Sequence, residues 1–252
     1  QREEIIPYWT GRSMREKLLS RMTPEWHDCY EAGMFTEFME QRGPGHTCGG
    51  EQVFTTGYME YKEKIKKTMD GLDYMNDPDA VDKCEELKAM DIACDAVIIL
   101  GERYHSLALE MAEKEADETR KSELLQIAAN LEVVPAHRPQ TYWQAIQLYW
   151  FTHLAVTTEL NPWDAFSPGR LDQHLYPYYE RDVEAGILDD AKALELLECL
   201  GVKVYHQPAP VTVGTPLKDS ATDTAFANTN HGGVKTDRRQ GEHDDRHLSL
   251  AG

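Results

Sequence analysis

The sequence predicts a mainly α fold. Apolar residues recur at three- and four-residue spacing along most of residues 13–204. Residues 141–158 form one helical stretch that is apolar nearly all round, which predicts burial on several sides. Strand-like runs are short and fall only after Gln207.

In chain order, residues 13–22 carry Met14, Leu18, Leu19 and Met22 as a helical stripe. Thr23-Pro24-Glu25-Trp26 reads as a helix start, with Thr as the N-cap and Pro at the first helical position. That helix runs toward Glu31, and Ala32-Gly33 ends it. Residues 34–50, MFTEFMEQRGPGHTCGG, begin as a short amphipathic helix through Phe35, Phe38 and Met39. They then turn at Gly43-Pro44-Gly45-His46-Thr47. Glycines on both sides of Pro44 let the backbone approach another group closely and leave His46 on a fixed turn. A histidine displayed this way is either an acid/base group near neutral pH or a ring capping a nearby carbonyl.

Residues 53–70 read as one helix with Val53, Tyr58, Tyr61, Ile65 and Met69 inward, followed by a turn at 71–78. Residues 79–115 are one long helix or two abutting ones, with Val81, Leu87, Met90, Ala93, Cys94, Val97, Ile98, Tyr104 and Leu107 on the apolar side. Cys94 on that stripe reads as a buried, inert thiol. Residues 118–132 form a further helix through Leu124, Leu125, Ile127, Ala128 and Leu131. Residues 133–139 read as an extended linker between two prolines. Thr141 caps the apolar helix, and helices follow at 176–185 and 191–204, joined by Gly186-Ile187-Leu188-Asp189. Residues 211–214 and 225–234 are candidate short strands. Residues 235–252 are polar and aperiodic and read as a loose tail. A metal site on His231, His243 and His247 would need an ordered helix and further ligands there, so none is expected.

The chain is organised around residues 157–183, TTELNPWDAFSPGRLDQHLYPYYERDV. Asn161-Pro162 and Ser167-Pro168-Gly169 break helical geometry, because proline removes a donor and restricts the residue before it. Trp163, Asp164, Phe166, Arg170 and Asp172 are crowded into this break. It reads as a pocket wall held between two helices, or as an ordinary helix–helix corner.

The net charge of −18, from 26 basic and 44 acidic side chains, opposes binding to nucleic-acid backbones and anionic membranes. No apolar run reaches the roughly 18 residues of a membrane span. The five cysteines are scattered without a CxxC pair, which argues against a disulfide framework or zinc ribbon and for a reducing cytoplasm. The first residues, QREEIIPYW, lack an initiator Met and read as a cut or processed start.

Three blocks, EAGMFTEFMEQRGPGHTCGG, TTELNPWDAFSPGRLDQHLYPYYERDVEAGILD and LLECLGVKVYHQPAP, together resemble the glycyl radical (pyruvate formate-lyase-like) enzymes, and within them the branch that dehydrates trans-4-hydroxy-L-proline. The resemblance runs from about Glu3 to about Val234. It implies a helical N-terminal region (1–134), then the first elements of a ten-stranded α/β barrel with substrate-pocket loops (135–234), and it leaves 235–252 outside the family pattern as a poorly ordered tail. It implies an anaerobic lyase in the cytoplasm, homo-oligomeric, acting on a small molecule. Its glycyl radical is installed by a partner activating enzyme that uses S-adenosylmethionine and an iron–sulfur cluster.

By the same resemblance, His46 faces the hydroxyl leaving group as a general acid, and Phe38 packs on the substrate ring. Asp164 pairs with the substrate's secondary amine, Phe166 adds apolar wall, and Ser220 and Phe226 contact substrate. No cofactor or metal is bound by these residues. The family's thiyl-forming cysteine loop and RVxG-type glycine loop do not occur in these 252 residues. The chain therefore reads as an N-terminal portion, inactive without the rest of its barrel. It also departs from the family: Ala225 stands in place of an Asp, Gly201 in place of a Trp, and Val204-Tyr205-His206 in place of Phe-Asn-Asn. Two other readings are another glycyl radical lyase or diol dehydratase, and a non-catalytic helical fragment.

Overall fold

The computed structural model describes residues 3–12, 14–34, 49–159, 168–205 and 229–230. Among them the fold is helical: α1 (Ile5–Trp9), α2 (Met14–Leu19), α3 (Pro24–Glu31), α4 (Gln52–Thr55), α5 (Tyr58–Asp70), α6 (Ala80–Lys114), α7 (Glu118–Leu131), α8 (Tyr142–Glu159), α9 (Leu171–Glu184) and α10 (Asp190–Tyr205). Two two-residue strands, β1 (Gly169–Arg170) and β2 (Thr229–Asn230), pair in parallel, Gly169 opposite Thr229 and Arg170 opposite Asn230.

The cap read at Thr23 is present: its hydroxyl accepts from the Trp26 N–H at 3.2 Å and Pro24 is the first helical residue. Residues 80–114 form one continuous helix, which packs lengthwise on α5 and α7. Lys62 ties α5 to α6 through Asp91 and Asp95, at 2.9 and 2.8 Å. Cys94 is buried, and burial pushes its thiol pKa up, as an inert thiol requires.

Helix α8 is the centre of the body. Ala145, Leu148 and Tyr149 are fully buried, and Tyr142, Ile146, Phe151, Thr152 and His153 nearly so. It packs against α4, α6, α7, α9 and α10. One core joins it to Val53, Phe54, Leu171, Leu175, Ala193, Leu196 and Leu200. A second joins Phe151 to Val97 and Leu131 of the α6–α7 hairpin. An apolar circumference is thus matched by partners on several sides, as the sequence predicts.

Five sequence expectations are corrected. Residues 53–70 are not one helix, because the chain breaks at Thr56-Gly57. There the first N–H groups of α5 turn away from α4: Tyr58 donates to the Pro135 carbonyl (3.0 Å) and Met59 to the Ala136 carbonyl (2.7 Å).

Residues 133–137 are not an extended linker. They turn, with Val134 N–H bonded to the Asn130 carbonyl and His137 N–H to the Val133 carbonyl. Val134 and Pro135 are fully buried. This turn fits between helices only because its neighbours are glycines. A Cβ on Gly57 would lie 2.2 Å from the His137 carbonyl carbon, and one on Gly101 would lie 2.4 Å from Pro135 Cδ.

The strands are not confined to the region after Gln207, since β1 lies at Gly169–Arg170. Two residues are too few to show a period of two in the sequence. Helix α9 starts at Leu171 rather than near residue 176, directly after β1, with Pro177 inside it. On α6, finally, Val81, Met90, Ala93, Tyr104 and Leu107 are exposed rather than inward. A 35-residue helix covered by α5 and α7 on one side presents more apolar residues than that side can bury.

The amphipathic stretch at Phe35 to Met39, the Gly43–Gly45 turn, Asn161-Pro162, Trp163, residues 211–214 and the tail 235–252 lie outside the described residues.

Candidate functional site

The six residues assigned to the site from the sequence are His46, Phe38, Asp164, Phe166, Ser220 and Phe226. All lie outside the described residues, in the segments 35–48, 160–167 and 206–228. The structure instead shows where the chain enters and leaves those segments. Segment 35–48 runs into α4 through Gly49-Gly50. Segment 160–167 joins α8 to Pro168 and β1. Segment 206–228 joins α10 to β2. These borders are neighbours: α4, α9 and α10 each pack on α8, and β2 pairs with β1 and packs on α9. The described borders of all three segments therefore lie on one cluster.

The cluster is held by aromatic rings. Phe54 is fully buried, and its ring stacks on Tyr149 of α8 and on His174 of α9, with ring centroids 5.5 and 5.1 Å away and interplanar angles of 7° and 22°. The Tyr178 hydroxyl donates to the Phe54 carbonyl at 2.5 Å. Tyr149 continues the series to His153, its hydroxyl 3.3 Å from Nδ1, and His153 stacks on Trp150 at 5.5 Å.

Burial sets the protonation of both histidines. It pushes the His153 pKa down to about 4, so the ring is neutral near pH 7. It also lowers that of His174, with Arg170 acting in the same direction and the carboxylates of Glu51 and Asp172 opposing. Burial raises the Tyr178 phenol, with Arg181 and Arg138 opposing.

Near the other end of the cluster, Asp182 is buried at the start of α8. Its Oδ2 accepts from the Tyr142 N–H at 2.6 Å, and its Oδ1 accepts from Arg181 at 3.0 and 2.9 Å. Thr141 Oγ1 accepts from the Gln144 N–H at 3.2 Å, completing the cap expected at Thr141.

Among the described residues no group of three His, Cys, Asp or Glu side chains is placed to hold a metal, and no helix is long and apolar enough to cross a membrane.

Sequence reasoning passed over Phe54, His153, His174 and Asp182. Phe54 looked like one more apolar residue in a helix read as continuous to residue 70. The histidines had no motif, and Asp182 resembled the solvated acidic residues around it. The one available signal was the density of aromatic residues on both sides of the 160–167 break.

Comparison with known proteins fits this architecture. The trans-4-hydroxy-L-proline dehydratase of Clostridioides difficile is 57% identical over 249 residues, 99% of this chain and 32% of that protein. Isethionate sulfite-lyase of Desulfovibrio desulfuricans is 35% identical over 209 residues, 79% of this chain and 25% of that protein. The crystal structure of the C. difficile hydroxyproline dehydratase with substrate trans-4-hydroxy-L-proline bound superposes with a TM-score of 0.85, covering 97% of this chain and 31% of that one. A glycyl radical enzyme from Archaeoglobus fulgidus, 27% identical, gives 0.80, covering 99% and 32%.

The chain thus spans about a third of the length of the hydroxyproline dehydratase it matches. A family model describing pyruvate formate lyase-like proteins matches residues 1–250, past the Val234 limit read from the sequence blocks. A match over nearly the whole chain, together with helical architecture shared with glycyl radical enzymes, shows that the chain belongs to the pyruvate formate lyase-like family.

Proposed function

We propose that this chain is the N-terminal, substrate-binding portion of a glycyl radical dehydratase that removes water from trans-4-hydroxy-L-proline. The observation that carries this reading is the 57% identity to a trans-4-hydroxy-L-proline dehydratase over 99% of the chain. The isethionate sulfite-lyase similarity, 35%, is the corresponding support for another radical lyase, and it is much weaker.

In this reading residues 1–134 are the helical region, 135–234 the start of the barrel with the pocket loops, and 235–252 a tail. The rest of the barrel, supplied by the longer enzyme, carries the radical that removes a hydrogen atom from the substrate. That radical is installed by an activating enzyme using S-adenosylmethionine and an iron–sulfur cluster. The working enzyme is a cytoplasmic homo-oligomer of anaerobic metabolism.

The residues of this chain bind and orient. Asp164 pairs with the secondary ammonium of the substrate, a charge-assisted contact that fixes the ring in one pose. Phe38 and Phe166 pack on the ring, and Ser220 and Phe226 complete the wall. His46 delivers a proton to the hydroxyl as the C–O bond breaks, so that water leaves rather than hydroxide.

The isolated chain, treated anaerobically with an activating enzyme and S-adenosylmethionine, is expected to show neither dehydration nor a glycyl radical signal by electron paramagnetic resonance. A radical signal on this chain would overturn the assignment of the radical to the missing part.

In the longer enzyme, Asp164→Asn weakens hydroxyproline binding by on the order of 1.5–3 kcal/mol, because one charge-assisted contact is lost. His46→Gln lowers kcat more than it raises KM, because a general acid acts chiefly in the transition state. Turnover of isethionate or 1,2-propanediol in preference to hydroxyproline would replace this reading with another radical lyase.

A further inference from the structure

We propose that the outer face of α6 is a docking surface for a second copy of this chain, which lies antiparallel across it about a two-fold axis at the level of Cys94. The inference rests only on the homo-oligomeric part of the function proposed above, not on its substrate.

The face runs from Val81 to Leu107 in steps of four, four, three, four, three, four and four residues, over about 39 Å of helix. At 3.6 residues per turn these positions share an arc of roughly 80°. Every one of them is exposed. The arc is opposite Cys94, Val97, Gly101 and Ala108, the buried side of the helix. Ile92 is 69% exposed and Val81 64%, too open for core positions. A long apolar stripe left open on one side of a packed helix marks an interaction surface.

The steps read the same in both directions, so the face matches an inverted copy of itself. With the axis level with Cys94, paired positions stand equally far before and after that residue. Val81 then meets the partner's Leu107, and Glu85 meets the partner's Arg103. Nearer the axis, Ala89 meets the partner's Ile99 and Ile92 the partner's Ala96. In these inner layers a large side chain faces a small one, which lets the helices approach and interdigitate.

Charge selects the occupant. A net charge of −18 makes unmatched contact between copies unfavourable. The face carries one acid and one base, and only the antiparallel arrangement sets them opposite each other. A parallel pair would place Glu85 on Glu85 and Arg103 on Arg103, with both contacts repulsive. Arg103 has no hydrogen bond or ion pair among the described residues. Glu85 uses Oε1 for Lys88 of its own helix, at 2.7 Å, and among the described residues its Oε2 has no partner.

The test is charge exchange. The wild-type chain is expected to show a monomer–dimer equilibrium in the micromolar range by sedimentation velocity. Glu85→Arg and Arg103→Glu each raise the dimer dissociation constant at least about tenfold, because two attractive contacts per dimer become repulsive. These two variants change the net charge in opposite directions, so overall repulsion cannot produce both losses. The double variant Glu85→Arg/Arg103→Glu restores the dimer. Mixing the two single variants, one of them isotopically heavy, gives a one-to-one heterodimer by native mass spectrometry. Ile92→Asp, at the central layer, also disperses the dimer, with an unchanged circular dichroism spectrum.

A monomeric chain, or self-association that ignores both charge reversals, overturns the proposal and leaves the remainder of the longer enzyme as the cover of this face. Losses in both single variants without rescue in the double variant or the mixture overturn the antiparallel register. If the isolated chain aggregates without defined stoichiometry, the same variants of the longer enzyme decide the matter by native mass spectrometry. Hydroxyproline binding is read separately on the same proteins, and its absence counts against the dehydratase reading alone.

Discussion

Asp182→Ala is expected to destabilise the chain by about 2–4 kcal/mol, read as a lower urea midpoint by circular dichroism. The Asp182 carboxylate is 2% exposed and holds two elements at once. One oxygen takes the Tyr142 N–H, a donor in the first turn of α8 that has no partner within its own helix. A negative charge there also meets the positive end of the helix dipole. The other oxygen takes Arg181, whose guanidinium lies over the Tyr178 ring at 5.1 Å and also donates to the Gln140 carbonyl.

Alanine would leave a buried N–H without an acceptor and a guanidinium without its carboxylate. The second loss is the smaller, because the Arg181 side chain is half-exposed and water screens it. Arg181→Met is expected to cost less than Asp182→Ala, because the carboxylate it leaves behind still accepts the Tyr142 N–H. The order of the two effects is the test. An Arg181 variant that destabilises more than the Asp182 variant would show that the ion pair, not the capped N–H, holds α8 in place.

Much of the helical framework was legible because it is written locally. Thr23-Pro24 declares a start, 35 residues of uninterrupted helical pattern give α6, and an apolar circumference places α8 at the centre. What was not legible is written by contacts distant in sequence. The break at Thr56-Gly57 follows from carbonyls of Pro135 and Ala136 that take the first amides of α5. Thr55-Thr56-Gly57 are poor helix formers, but a single such spot does not by itself announce a break. The turn at 133–137 looked like a linker because its prolines and missing period are what a linker shows, yet Val134 and Pro135 are buried under Gly101. The strand β1 exists through a partner at Thr229 that follows sixty positions later in the register.

The candidate site divides the same way. The identities of His46 and Asp164 came from a resemblance to a family. The stack of Phe54 on Tyr149 and His174 came only from the fold, because stacking between helices leaves no periodic trace.

His153 is expected to make stability fall between about pH 6.5 and pH 4, by about 3 kcal/mol in total. The ring is 4% exposed on α8, stacked on Trp150, with the Tyr149 hydroxyl at Nδ1. Burial disfavours the imidazolium and holds the folded pKa at about 4, whereas the unfolded chain titrates near the ordinary 6.5. Above about pH 6.5 both states are neutral and the full stability is present. As the pH drops below that value, the unfolded chain binds a proton that the folded chain refuses. The balance shifts toward unfolding by about 1.4 kcal/mol per pH unit. Below about pH 4 the folded ring protonates too and the loss levels off.

Carboxylates titrate in the lower part of the same window, so the wild-type curve alone cannot assign the effect. His153→Phe keeps a ring in the same space and removes the titration, leaving the carboxylate contribution common to both proteins. The unfolding free energies of wild type and His153→Phe, measured by urea titration at each half pH unit from 7.5 to 4, should converge or cross by about 3 kcal/mol relative to their offset at pH 7.5. Parallel curves over that range would mean that the imidazole accepts a proton in place, and that its site is wetter or more negative than the packing of Tyr149 and Trp150 around it implies.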